Sequence, residues 1–323
     1  MRYLLALLLS CSAMVLSAAE ITPADEQRLQ QLRQDLQIPL VDLQQAMAQA
    51  QLRQPVLDAI QKPWEAKPWY LYRPLFITQA RVDAGVKFWR QHAAWLEKAE
   101  RELQVPAQLI VAIIGVETRF GTQMGDHPVL DALYTLGFHY PQRAPYFSKE
   151  FAQYVKLAKQ QGWPLRQPKG SYAGAMGMGQ FMPTSYLHFA VDFDANGHID
   201  LFNSPADAIG SVGNYFHEHQ WQAGQPVAYR VDNPTIEAIA PLADGTLDLN
   251  QSWGELKAAG VTLNTALPES TPVKLLKLDQ ANGPEFWVIL NNFYVITRYN
   301  RSPLYAMAVY QLSEQIAAAY HDQ

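Results

Sequence analysis

The sequence predicts a mainly α protein with a smaller β-rich portion (α+β). Two patterns carry that reading: apolar residues three or four positions apart through most of the chain, and short strand-like runs between about 226 and 290. A third observation bounds it. With 323 residues, 49% hydrophobic and 17% charged, the chain has material for two or three folded units and is excluded from the disordered class. The 25 basic and 30 acidic residues give a net charge of −5, which removes the cationic drive that nucleic-acid binding needs. The single cysteine, Cys11, rules out a disulfide framework.

Taken in order, Met1 to Ala19 reads as a secretory signal: Arg2, an apolar stretch from Leu4 to Leu16, then Ser17-Ala18-Ala19. The mature chain is then expected to be soluble and exported. Leu8-Leu9-Ser10-Cys11 leaves a second reading, an acylated lipoprotein anchored to the outer membrane through Cys11. Residues 20–104 are expected to form a helical domain, with Leu29, Leu32, Leu36, Leu40, Leu43 and Met47 on one face and helical spacing resuming from Val82 to Leu103. Residues 105–225 alternate helices with glycine-rich loops. Residues 226–290 are expected to be a small β-rich domain, with runs at Val273–Leu278 and Phe286–Leu290 divided by Asn282-Gly283-Pro284. Residues 291–323 end in a helix expected to dock back on the N-terminal helices and complete their domain.

The chemistry concentrates in 105–225. Pro106 to Gly121 reads as a buried helix, with Pro106 at its first position and Gly121 at its exit. Glu117 ends the apolar run, where desolvation disfavours its charge and prepares a general acid. A glutamate at a helix end can equally face solvent and pair with Arg119. In the block from Gly170 to Gln180, small residues at Gly174, Ala175, Gly177 and Gly179 let backbone approach a flat ligand, and Ser171 and Gln180 offer hydrogen bonds; a tight helix entry is the plainer reading. Asp192, Asp194, Asn196 and the His198 carbonyl occupy positions one, three, five and seven of an EF-hand-like loop, with Gly197 at six, which points to Ca²⁺ in a structural role. Position twelve is Asn203 in place of glutamate. Asp207 is the candidate replacement, although Ser204-Pro205-Ala206-Asp207 also reads as a helix cap. His217-Glu218-His219 lacks a third ligand at helical spacing and reads as solvated histidines, not as zinc ligands.

Four ordered blocks resemble the lytic murein transglycosylase B family: Pro106–Gly121, Phe138–Phe147, the glycine block running into Phe181-Met182-Pro183, and Asn291–Asn300. The likeness covers roughly Tyr72 to Asn300. It implies a lysozyme-like core within 105–225 and Glu117 as the catalytic residue. It also implies cleavage of the β-1,4 bond between N-acetylmuramic acid and N-acetylglucosamine to a 1,6-anhydromuramyl product, without water. By the same resemblance Tyr72, Arg143, Ser171, Gln180, Phe181, Tyr215, Asn292 and Tyr299 surround the saccharide groove, and Asp207 completes the calcium site. Gln142 departs from the family, which often carries an arginine there. The implied partners are peptidoglycan strands and other cell-wall enzymes, and the implied state is a monomer in the periplasm of a Gram-negative bacterium with no organic cofactor. Lysozyme-type hydrolysis, which needs a second carboxylate such as Asp126, Asp131 or Glu150, and a non-catalytic peptidoglycan-binding scaffold are the competing expectations.

Overall fold

The computed structural model describes residues 21–61, 67–232 and 235–322. The signal segment Met1–Ala19 and Cys11 lie outside the described residues. The N-terminal helical stretch is three helices, α1 (Pro23–Leu36), α2 (Leu40–Gln49) and α3 (Gln54–Ile60). Gln37 adopts a left-handed conformation at φ 54°, Pro39 restarts the helical path, and Ala50 is extended, so the apolar stripe is preserved while the axis turns. Next come α4 (Trp69–Phe76), α5 (Gln79–Gln91) and α6 (Ala93–Leu103); the continuous spacing across 82–103 breaks at His92, whose ψ of 23° leaves the helical region.

At the centre is α7 (Ala107–Thr118), of which every residue except Gln108 and Glu117 is buried. Such all-round apolarity suits a helix surrounded by protein. Around it lie α8 (Val129–His139), α9 (Ala144–Gln161), α10 (Pro183–Phe189) and α11 (Pro205–Glu218), with a two-residue antiparallel pair, β1 (His127–Pro128) and β2 (Lys169–Gly170), strapping the loops together. Two helices return at the end: α14 (Asn291–Tyr299) and α15 (Pro303–His321). The latter packs on both α7 and α5, joining the C-terminal helix to the N-terminal ones.

Between α11 and α14 the chain forms an antiparallel sheet of order β3 (Ala228–Arg230), β6 (Gly283–Ile289), β5 (Pro272–Gln280), β4 (Gln251–Ser252), with α12 (Ile236–Ile239) and α13 (Trp253–Ala258) beside it. Strand alternation divides its load. Val273, Leu275, Phe286 and Val288 enter a small separate core with Trp253 and Leu256, whereas Leu276, Leu278 and Ile289 join the main core. Among the described residues no helix is long and apolar enough to cross a membrane.

Candidate active site and calcium loop

The end of α7 positions Glu117. Arg119, Phe120 and Gly121 are all left-handed, with φ of 49°, 59° and 83°, so the chain folds back on the helix that precedes it. Phe120 is thereby laid over Gly115, where an added Cβ would meet the ring at 2.6 Å; this close approach is what glycine permits there. Helix and glycine block are tied by Thr118. It is fully buried, and its hydroxyl donates to the Met178 carbonyl at 2.8 Å and accepts from Gly121 N at 3.0 Å. The helix therefore begins one residue after Pro106, which serves as its N-cap, and ends before the predicted exit at Gly121.

Glu117 is only partly exposed. Burial pushes its carboxyl up from 4.5 to about 7, against the opposing effect of a hydrogen bond from Tyr305, whose Oη donates to Glu117 Oε1 at 2.6 Å. Arg119 is exposed, and no cation pairs with Glu117 among the described residues. Tyr305 and Tyr299 are themselves held well above the ordinary phenol range, by burial first and then by the negative charge of Glu117, so both remain protonated donors. Tyr299 donates to the Gly179 carbonyl.

The aromatic wall extends outward from there. Tyr72, at 4% exposure, lies within electrostatic reach of Tyr305, and Tyr215 within reach of Tyr299. Tyr215 packs on Tyr299 at 4.8 Å between ring centroids and feels Tyr146, over whose ring the Arg143 guanidinium sits at 4.8 Å. Ser171 is half-buried, its Oγ accepting from Ala175 N at 3.1 Å. Gln180, left-handed at φ 52°, donates its Nε2 to the carbonyls of Met124 and Gly177, which leaves its carbonyl oxygen for a ligand.

Two expected groove residues stand elsewhere. Asn292 is fully buried, and its amide is spent on the turn after α11, accepting from Gln222 N and donating to the carbonyls of Gln222 and Gln225. It is a clamp for the entry to the sheet, with no polar atom exposed to a sugar. Phe181, 2% exposed, lies 6.0 Å from both Tyr215 and Tyr299 and supports them without offering a ring face to the groove. His219 is not simply solvated: its ring stacks on Tyr215 at 4.1 Å. Sequence reasoning missed Tyr305 and Tyr146. Tyr305 follows the matched Asn291–Asn300 block by five residues, at the first turn of α15 behind the Ser302 cap. Tyr146 lay inside the quoted Phe138–Phe147 block, where its exposure of 41% was not legible.

None of the candidate second carboxylates is among the groups that shift Glu117. Asp126 has a side chain 92% exposed, Asp131 is buried against Arg53 and Arg166, and Glu150 accepts from Thr184 N at 2.9 Å.

In the metal loop, ligand oxygens of Asp192, Asp194 and Asp207 lie within 4.8 Å of one another. Asp207 is buried, and its two oxygens accept from Phe193 N and Asp200 N, both at 2.8 Å. Burial, then the neighbouring Asp194 and Asp192 charges, raise its carboxyl. Three converging acids with that mutual repulsion fit a hard divalent cation. The cap and cluster roles prove compatible: Ser204 Oγ accepts from Asp207 N, while the Asp207 carboxylate turns into the loop. Asn196 Oδ1 accepts from His198 N at 2.9 Å, and Asn203 turns outward to Asp200.

Fold and site together define a lysozyme-like helical core in which a half-buried carboxyl is set against a group of tyrosines. Residues 23–314 match the family of the transglycosylase SLT domain. The chain is 47% identical over 252 residues to the membrane-bound lytic murein transglycosylase B of Escherichia coli K12, covering 78% of this chain and 68% of that one. It superposes on the X-ray structure of catenated lytic transglycosylase SltB1 from Pseudomonas aeruginosa with a TM-score of 0.86 at 45% identity, covering 93% of this chain and 98% of the other. The Escherichia coli lytic transglycosylase Slt35 in complex with calcium gives a TM-score of 0.81 at 41% identity, covering 92% and 94%. The chain belongs to the lytic murein transglycosylase B family.

Proposed function

We propose that the protein is a lytic transglycosylase of peptidoglycan in which Glu117 acts first as acid and then as base. The observation that carries this is a single carboxyl raised to about 7, with burial and Tyr305 as the causes of its shift and no second carboxylate among them. The Glu117 carboxyl gives its proton to the glycosidic oxygen between N-acetylmuramic acid and N-acetylglucosamine as the C1–O4 bond breaks. The carboxylate left behind takes the proton of the muramyl C6 hydroxyl, and O6 closes on C1. Atoms balance without water, and the acid is regenerated. Among the described residues no second carboxylate contributes to the Glu117 shift, which speaks against a hydrolase working through two flanking carboxylates.

Tyr305 holds the Glu117 carboxyl in one orientation, Tyr146 and Tyr299 offer ring surface against which sugar rings pack, and the buried Tyr215 and Tyr72 support them from behind. The Gln180 carbonyl, Ser171 and the Arg143 guanidinium supply polar contacts, the last suited to a carboxylate. Asp192, Asp194, Asn196, the His198 carbonyl and Asp207 would hold Ca²⁺, which when bound supplies charge that fastens the loop between α10 and α11. We place the protein in the periplasm as a monomer, where its strands are found and where other cell-wall enzymes share them. The domain limits 20–104 with 291–323, 105–225 and 226–290 remain our proposed division.

Mass spectrometry of digested sacculi tests the reaction. Products with 1,6-anhydromuramyl ends are expected from the wild type and none from Glu117→Gln. Reducing ends heavier by one water would make it a hydrolase, and an undiminished effect of Glu117→Gln on sacculi would make it a scaffold.

A further inference from the structure

A cavity of about 520 Å³ lies beside the β1–β2 strap, walled by Met124, Trp163, Ile199 and Phe202, with Gln167 and Lys169 on the strap side and Asp200 and Asn203 on the side of the 192–203 loop. We propose that it receives the peptide branch of the glycan strand and fixes a carboxylate of that branch with Lys169. This rests on the reading of the protein as a peptidoglycan enzyme.

The argument begins with position. Lys169 pairs with Pro128 in the strap and is followed by Gly170 and Ser171, and the Met124 carbonyl accepts from Gln180. The same short segments thus present Ser171 and Gln180 to the cleft and Met124 and Lys169 to the cavity. The strap pairs two residues on each strand, and an extended branch gains roughly 3.3 Å per residue.

Chemistry selects the occupant. The Trp163 ring is fixed edge-on between Tyr186 and Phe202, at 5.7 and 5.8 Å, and its indole N–H has no protein acceptor among the described residues. Lys169 is exposed and makes no ion pair among the described residues, in a chain of net charge −5. A donor, an amide, an unpaired ammonium and an apolar wall together match a peptide: alkyl side chains for the wall, amide groups for Gln167 and the indole, a carboxylate for the cation. A bare glycan offers hydroxyls, acetamides and a lactyl carboxylate held on the sugar ring itself, and nothing that extends away from the strand to the apolar wall.

The test compares intact, peptide-bearing strands with strands stripped of their peptides by an amidase, using wild type, Lys169→Glu and Trp163→Phe. Trp163→Phe keeps an aromatic ring between Tyr186 and Phe202 and removes the donor together with part of the apolar wall. Lys169→Glu is expected to raise KM on intact strands about tenfold, the worth of one charge-assisted contact, with kcat held and KM on stripped strands unchanged. Trp163→Phe should move KM in the same direction by less. Equal effects on both substrates, or no effect of Lys169→Glu on either, overturn the site while leaving the enzyme reading intact. A wild type inactive on both substrates removes that reading and the site together.

Discussion

Glu117, the acid we propose, has a protonation range set by its surroundings. Its carboxyl near 7 means the free enzyme begins each turnover protonated only below that value, so kcat/KM is expected to fall as pH rises through about 7. Tyr305 stabilises the carboxylate by donating to it; Tyr305→Phe should therefore move that alkaline limb upward by about one unit, since a hydrogen bond to a charged group is worth roughly 1.5–3 kcal/mol. A merely structural tyrosine would lower activity without displacing the limb. Stability follows the opposite side of the same linkage. A carboxyl raised in the folded state costs nothing below its unfolded value of 4.5, and its cost is complete above about 7. Glu117→Gln should accordingly melt higher than wild type at pH 8, by roughly 2 kcal/mol after allowance for partial exposure, with the gain vanishing near pH 4. A calorimetric pH series decides it. The identity of this residue was legible because it terminates an apolar run; the tyrosine beside it was not, because 188 positions separate them.

Among the elements, the 192–203 loop was the most readable, since oxygen ligands at fixed offsets are a local code. That Asp207 faces this loop needed the helix start of α11 to be seen, where backbone capping and the carboxylate's direction are settled separately. Chelation is expected to lower the melting temperature by several degrees and added Ca²⁺ to restore it, a ligand at a hundred times its Kd being worth about 2.7 kcal/mol. Asp207→Asn should abolish that response. Differential scanning calorimetry with and without chelator reads both. Asn292 shows the limit of reading a motif along the chain: it shares a block with Tyr299, yet a helix turns it inward, and its amide closes the turn at Gln222–Gln225. Sequence order put it beside a groove that helix rotation denies it.

At the scale of the whole molecule, helical spacing foretold the α-rich body and alternation foretold the sheet, because both periods are local. The breaks at Gln37 and His92 were not foretold, since the apolar stripe runs on across them. Nor was the sharing of one sheet between two cores, which depends on what covers each face. Helix α15 does most to unify the body, with Met307, Leu312 and Ile316 fully buried against α7 and α5. Leu312→Ala should cost roughly 3 kcal/mol in denaturant unfolding while kcat of the folded fraction is retained. The same helix delivers Tyr305 to an acid made far earlier. During synthesis, then, every nascent fragment that stops short of residue 305 holds its glutamate without the phenol that orients it. The order in which the ribosome emits the chain sets that hydrogen bond 188 residues behind the glutamate it orients.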